Sequence, residues 1–169
     1  MNPPASGDEV AALAQRLGQA LVARGLQVTA AESCTGGLVA AALTDVAGSS
    51  AWFGESVVTY ANEAKQRLAG VPAHTLQTHG AVSAETVRAM AEGLLARTAA
   101  DLAIAVSGVA GPGGGSVAKP VGTVWIAVAQ RRHGCDVQHH RFDGDRAAVR
   151  RQAVLSALRA TLSKLSGSA

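Results

Sequence analysis

A chain of 169 residues with 48% hydrophobic and only 3% aromatic content is long enough for one domain with a core of Ala, Val and Leu. The formal net charge of +3 comes without a dense basic stripe or interleaved aromatics, which argues against a nucleic-acid-binding protein. Two distant cysteines, Cys34 and Cys135, favour neither a disulfide framework nor a four-ligand zinc site and are typical of the reducing cytoplasm. We find no run of about 18 apolar residues and no signal peptide, so we expect no membrane segment.

The hydrophobic pattern predicts helices and strands in alternation along most of the chain. We expect a disordered lead-in over 1–7, one domain over 8–165 and a tail over 166–169. Apolar residues at helical spacing predict helices over about 9–24, 38–43, 63–70, 73–80 (a short helix or turn), 83–98 and from 146 to the end of the domain. Buried runs predict strands over about 27–31, 55–60, 102–106, 121–128 and 136–142. These elements indicate an α/β fold with three layers, α/β/α, around a mixed sheet of about five strands.

The first predicted strand ends at Ser33, and the glycine pair Gly36-Gly37 leads into the next helix. The unpaired amides at a helix N-terminus favour negative charge, so this turn could hold a phosphate or the oxyanion of an acyl-transfer intermediate. The alternative is an N-cap serine in an ordinary strand-to-helix turn.

Lys65 is predicted in the first turn of a helix capped by Asn62, where the helix dipole disfavours a positive charge. A solvated surface lysine is one interpretation. The other is a partly buried lysine, whose pKa would be lowered and which could serve as a base. Tyr60 ends the preceding strand, so the strand end and the helix start could share one rim.

A second glycine-rich loop follows the strand over 102–106 and begins at Ser107; it matches neither the P-loop nor the dinucleotide-binding fingerprint. Three strands thus end in polar or glycine-rich loops, at Ser33, Tyr60 and Ser107. In open α/β sheets, ligands bind outside the carboxyl ends of the strands. A serine beside a neutral lysine, with a helix N-terminus for the oxyanion, is an acyl-transfer set that needs neither histidine nor metal.

Seven short motifs occur in order over about residues 10 to 165. They are AESCTGG at 31–37, GSSAWF at 48–53, VTYANEAK at 58–65, HGAVS at 79–83, SGVAGPGG at 107–114, KPVGTVW at 119–125 and FDGDR at 142–146. Together they resemble the CinA C-terminal domain family, the nicotinamide-nucleotide amidohydrolases.

This resemblance implies hydrolysis of the carboxamide of nicotinamide mononucleotide to nicotinate mononucleotide and ammonia, within pyridine nucleotide salvage and without a metal or organic cofactor. By similarity, Ser33 is the nucleophile, Lys65 the base and Tyr60 a relay or positioning hydroxyl. The expected substrate-binding residues are Thr35, Gly36, Gly37, Ser50, Ser107, Gly108 and Arg146. Either Arg146 or the first glycine loop could hold the 5′-phosphate.

The resemblance also implies a homodimer, for which exposed apolar residues near Trp52 could provide the interface. Many family members carry an additional N-terminal domain that resembles a molybdopterin-binding protein, and we expect this chain to act without it.

Three alternatives remain open at this point. Cys34 is a competing nucleophile, because a thiolate at a helix N-terminus would be reactive. A nucleotide-binding regulatory module could keep the same pocket without useful turnover. A metal or redox protein could use the two cysteines and the histidines, although their spacing suits no standard site. The histidines are His74, His79, His133, His139 and His140.

Overall fold

The computed structural model describes residues 7–167 and contains every helix and strand predicted above, with ends that differ by a residue or two. The helices are α1 (Gly7–Arg24), α2 (Leu38–Thr44), α3 (Asn62–Ala69), α4 (Ala73–His79), α5 (Ala84–Arg97) and α6 (Arg146–Gly167), with a 3-10 turn at Ser49–Ala51. The strands are β1 (Val28–Glu32), β2 (Phe53–Val58), β3 (Leu102–Gly108), β4 (Thr123–Gln130) and β5 (Gly134–Arg141).

The five strands form one mixed sheet in the order β2-β1-β3-β4-β5. The strands β2, β1 and β3 are parallel, whereas β4 and β5 are antiparallel to their neighbours. In the parallel part, Glu32 of β1 is paired with Val58 of β2 and Val106 of β3. The carboxyl ends of these three strands therefore meet at one edge of the sheet.

Successive side chains of a strand point to opposite faces of the sheet, and helices cover the apolar side chains on both faces. Along β3, Leu102, Ile104 and Val106 pack against α1, α2 and α6, whereas Ala103 and Ala105 face the cluster formed with α3, α4 and α5. The predicted three-layer α/β/α domain with a mixed five-stranded sheet is confirmed. No helix of residues 7–167 has the length and apolar character needed to cross a membrane.

Trp52 lies in the core rather than at an exposed surface, with only 2% of its surface accessible. It packs on α1 at Gly18, where an added Cβ would lie 2.8 Å from the indole ring. The indole joins α1 to the start of β2, so the Trp52 side chain itself adds no exposed apolar surface to the predicted interface.

Some predicted boundaries also need correction. Asn62 is the first residue of α3 and does not cap it, since the preceding Ala61 occupies the cap position and no side chain bonds there. Helix α6 continues through residues 166 and 167 of the predicted tail, and α1 begins at residue 7, the last residue of the predicted lead-in. The rest of both predictions, over 1–6 and 168–169, falls outside the described residues.

Candidate active site

Ser33 and Lys65 meet at the carboxyl edge of the parallel strands. Ser33 directly follows β1, and its amide donates to the carbonyl of Val106 at 2.9 Å, which continues the pairing of β1 with β3. Lys65 lies in the first turn of α3, with 1% of its surface exposed. Its Nζ lies 3.1 Å from Ser33 Oγ, 2.8 Å from the carbonyl oxygen of Thr59 and 3.2 Å from that of Tyr60. The predicted nucleophile and base are therefore in direct contact.

The surroundings of Lys65 favour its neutral form. Burial lowers the pKa of its amine from the ordinary value of 10.5. Among residues 7–167, no carboxylate forms an ion pair with it. A neutral amine has two hydrogens and one lone pair. When the two hydrogens bond the carbonyls of Thr59 and Tyr60, the lone pair faces Ser33 Oγ, which is the geometry that a base needs to accept the hydroxyl proton.

Glu32 is a site residue that the sequence analysis missed. Its side chain is fully buried, and its carboxylate accepts hydrogen bonds from the amides of Gly37 and Val39 at 3.0 Å and of Ala40 at 2.9 Å. These amides lie at the start of α2, where we had predicted free donors for an anion. That prediction is corrected, because the carboxylate of the chain itself occupies them. A charged residue inside an apolar strand, next to the candidate nucleophile, was the available signal.

The side chains of Ser33, Cys34 and Thr35 in the turn over 33–37 are buried. Gly36 and Gly37 have φ values of 58° and 97°, in the left-handed region that favours glycine. Thr35 is fully buried, and its hydroxyl has no hydrogen-bond partner among the described residues. The amides of Cys34 and Thr35 also donate to no other residue of the described chain. Those two amides are the donors that remain beside Ser33.

Tyr60 and Arg146 form a second pair at the rim. Arg146, the first residue of α6, donates from Nη2 to the Tyr60 hydroxyl at 3.0 Å and from Nη1 to the carbonyl of Gly111 at 2.9 Å. The Tyr60 ring is mostly exposed, and within the described chain its hydroxyl bonds neither Ser33 nor Lys65. Of the two predicted roles for Tyr60, relay and positioning hydroxyl, the geometry thus favours positioning.

Arg150 was also missed by the sequence analysis, although it lies one turn after Arg146 on the same helix. Its Nη2 donates to the carbonyl of Thr35 at 2.9 Å, which links α6 to the Ser33 turn. The spacing of four residues from Arg146, which places both side chains on one face of the helix, was the signal that could have indicated it.

The remaining predicted substrate-binding residues differ in where they lie. Ser107 is at the correct edge, but its buried hydroxyl donates to the carbonyl of Ala81 at 2.7 Å. Gly108 is needed for close packing, since an added Cβ would lie 2.7 Å from the carbonyl oxygen of Thr123. Ser50 precedes β2, a strand of six residues that spans roughly 20 Å. The single chain therefore does not bring Ser50 to Ser33.

A metal cluster and a separate cavity are the two alternatives to the Ser33 site. Among residues 7–167, no group of three or more His, Cys, Asp or Glu side chains is placed to hold a metal ion. A cavity of about 520 Å³ lies between α1, α2 and α6, but its lining is mostly apolar and contains neither Ser33 nor Lys65. We therefore assign the chemistry to the Ser33 edge of the sheet.

Comparison with known proteins agrees with this geometry. The model of the CinA C-terminal domain matches residues 10–165. The chain belongs to the CinA C-terminal domain family. It is 55% identical over 150 residues to nicotinamide-nucleotide amidohydrolase PncC of Escherichia coli (strain K12), covering 89% of this chain and 91% of the relative. It is 54% identical over 151 residues to the Pseudomonas putida protein of the same name, covering 89% and 94%.

A solved structure extends the comparison to three dimensions. The competence/damage inducible protein CihA from Agrobacterium tumefaciens has a TM-score of 0.91 and 43% identity to this chain, and the match covers 97% of this chain and 99% of that one. The predictions of the family, the fold and an enzyme of amidohydrolase type are confirmed.

Cys34, the competing nucleophile, is in an unfavourable environment for a thiolate. The residue is buried, and this burial raises the pKa of its thiol to about 11. At neutral pH the thiol therefore stays protonated, and a protonated thiol is a poor nucleophile. The proximity of α2 does not compensate, because Glu32 already occupies the amides of that helix start.

We therefore expect Cys34 of the native protein to resist iodoacetamide at pH 8. With a pKa of about 11, only about 0.1% of the thiol is ionised at that pH, against about 10% for the ordinary value of 9.0. Mass spectrometry of the alkylated peptides measures the labelling, with urea-unfolded protein as the fully labelled control. Loss of enzyme activity in step with Cys34 labelling would contradict this assignment.

Proposed function

We propose that the chain hydrolyses the carboxamide of nicotinamide mononucleotide to nicotinate mononucleotide and ammonia, as a step of pyridine nucleotide salvage. The observation that carries the proposal is the buried amine of Lys65, which lies 3.1 Å from Ser33 Oγ. Its other two neighbours are the main-chain carbonyl oxygens of Thr59 and Tyr60. The names of relatives at 54–55% identity support the choice of substrate. The intact Ser33 and Lys65 pair argues against a regulatory module without turnover.

In the proposed acylation step, Ser33 Oγ attacks the carboxamide carbon while Lys65 Nζ accepts the hydroxyl proton. Negative charge develops on the carboxamide oxygen, and the unengaged amides of Cys34 and Thr35 are the donors available to stabilise it. The C–N bond then breaks, and Lys65 returns the proton to the departing nitrogen, which leaves as ammonia. The product of this step is a nicotinoyl ester on Ser33.

Water completes the reaction in the proposed deacylation step. Lys65 accepts a proton from the water as its oxygen attacks the ester carbon, and the proton passes to Ser33 Oγ when the ester bond breaks. Nicotinate mononucleotide leaves, its new carboxyl group gives its proton to the solvent to become a carboxylate, and Ser33 and Lys65 regain their starting protonation. The net reaction consumes one water and releases one ammonia for each carboxamide.

Arg146 and the Tyr60 hydroxyl provide the cationic and polar groups for the 5′-phosphate in this proposal. Both lie at the rim, and the Arg146 guanidinium already orients the Tyr60 hydroxyl at 3.0 Å. An arginine fork suits a phosphate because it donates parallel hydrogen bonds. The first glycine loop is less suitable, since Glu32 occupies the amides at its end.

We also propose a cytoplasmic homodimer. Cys34 and Cys135 are both free thiols, which is consistent with a reducing compartment. The dimer rests on the family resemblance, and the buried Trp52 side chain would not itself form part of its interface.

The first prediction from this mechanism concerns the nucleophile. Ser33→Ala removes the attacking oxygen, so we expect ammonia release from nicotinamide mononucleotide to fall by about 10⁴-fold or more while the protein stays folded. Coupled assay of ammonia, with a chelator present, measures this loss. Ser163→Ala, which changes an exposed serine of α6, is the matched control and should keep full activity. Turnover retained by a well-folded Ser33→Ala protein would refute the mechanism; binding without turnover in the unmodified chain would favour the regulatory module.

The second prediction concerns the pH dependence set by Lys65. The base must be neutral to act, so kcat/KM should rise with pH through the pKa of Lys65 and level off above it. This rising part of the profile, the acid limb, should lie below pH 10.5 because burial lowers the pKa of Lys65 from that value. Lys65→Met should lower kcat by about 10²- to 10⁴-fold and abolish that limb. Circular dichroism over the same pH range verifies folding. An unchanged acid limb in Lys65→Met would assign it to another group.

The third prediction separates phosphate recognition from catalysis. A charge-assisted hydrogen bond contributes about 1.5–3 kcal/mol, so Arg146→Gln should raise KM for nicotinamide mononucleotide by about 10- to 100-fold. The KM for nicotinamide riboside, which lacks the phosphate, should stay the same. Arg16→Gln, on the exposed side of α1, is the matched control. Equal effects on both substrates would mean that Arg146 acts on something other than the phosphate.

A further inference from the structure

Glu32 stands out because a fully buried carboxylate is costly unless its oxygens are hydrogen-bonded. None of the described residues forms an ion pair with it. Its partners are instead three main-chain amides at the start of α2, those of Gly37, Val39 and Ala40. The charge of Glu32 is thus balanced by the positive end of a helix that supplies no side-chain cap of its own.

The main chain of Glu32 is linked to the base of the proposed reaction. Its carbonyl accepts a hydrogen bond from the amide of Thr59 at 2.7 Å, and the carbonyl of Thr59 accepts one from Lys65 Nζ at 2.8 Å. Its side chain fixes the far end of the turn that begins with Ser33. One residue therefore connects the segment that carries the nucleophile to the segment that holds the base.

We propose that Glu32 is a positioning residue of this site, whose carboxylate ties the Ser33 turn to α2 and so keeps Ser33 Oγ in contact with Lys65 Nζ. This inference rests on the proposed function, because it assigns Glu32 a part in that reaction. The competing explanation is a helix cap that stabilises the fold and has no effect on the reaction geometry.

The two carboxylate oxygens of Glu32 accept different numbers of hydrogen bonds, so conservative variants of this residue are informative. Oε2 accepts from Gly37 and Val39, and Oε1 accepts from Ala40. In Glu32→Gln one oxygen becomes an amide nitrogen that can only donate, so at least one main-chain amide loses its acceptor. In Glu32→Asp the charge remains, but the carboxylate is withdrawn by one C–C bond, about 1.5 Å. Both changes move the turn while keeping the residue polar.

The experiment measures kcat and KM for nicotinamide mononucleotide in Glu32→Gln and Glu32→Asp, together with thermal unfolding and the pH profile. Misplacement by about 1 Å costs on the order of 10²-fold in rate, so kcat should fall by about that factor in both variants. The KM should change by less than about threefold, because the rim around Arg146 is untouched. The acid limb should keep its position, since Lys65 keeps its burial and both carbonyl partners. Glu92→Gln on the exposed face of α5 is the matched control and should behave as the unmodified chain.

Other outcomes overturn the inference. A kcat within about threefold of the unmodified chain in Glu32→Gln, with Ser33→Ala inactive, would leave the proposed function intact and reduce Glu32 to a helix cap. The same conclusion follows if the lost kcat returns when the assay is cooled well below the unfolding midpoint, because the loss would then reflect unfolded protein. A raised KM with unchanged kcat would assign Glu32 to substrate binding. Activity retained in Ser33→Ala would refute the proposed function, and this inference with it.

Discussion

The site depends on one interaction, the contact of a buried, uncompensated lysine amine with a serine hydroxyl. An ammonium in this position would lack both water and, within residues 7–167, a carboxylate partner, so the environment itself shifts Lys65 towards the neutral form. The two carbonyls of Thr59 and Tyr60 then fix the direction of the remaining lone pair. The fold thus favours a neutral amine by excluding solvent, and in the proposed reaction this amine serves as the base without a histidine.

This arrangement follows from the parallel part of the sheet. Because β2, β1 and β3 run in the same direction, the three segments that follow them meet at one edge: the Ser33 turn, the Tyr60 segment leading to α3, and the loop after Ser107. The antiparallel strands β4 and β5 extend the sheet away from this edge and provide a surface for α5 and α6. Helix α6 packs with α1 and α2 on one face of the sheet, and its first residue, Arg146, reaches the same rim.

Much of this could be predicted from the sequence because the relevant signals are local. The apolar periodicity located each element, and the position of Ser33 between a strand and a glycine pair indicated the site. Long-range geometry could not be obtained in this way. No local pattern shows that Trp52 fills a gap over Gly18, that the Tyr60 hydroxyl bonds Arg146, or that Glu32 reaches three amides beyond the turn. Burial also raises the pKa of the Cys34 thiol, and this burial is a property of packing. The sequence position of Cys34, next to the candidate nucleophile Ser33, does not indicate it.

The carboxylate at the start of α2 has a consequence for the direction in which a nucleotide enters. A helix start beside a nucleophile would ordinarily attract inorganic phosphate, or the phosphate end of the substrate itself, and so compete with productive binding. Glu32 fills that position with an internal anion and repels any other. In the proposed function, Arg146 at the rim then provides positive charge for an incoming phosphate, and the uncharged carboxamide is the end that approaches Ser33. On that proposal, the buried carboxylate helps to set which end of the nucleotide faces Ser33, independently of any contact with the pyridine ring.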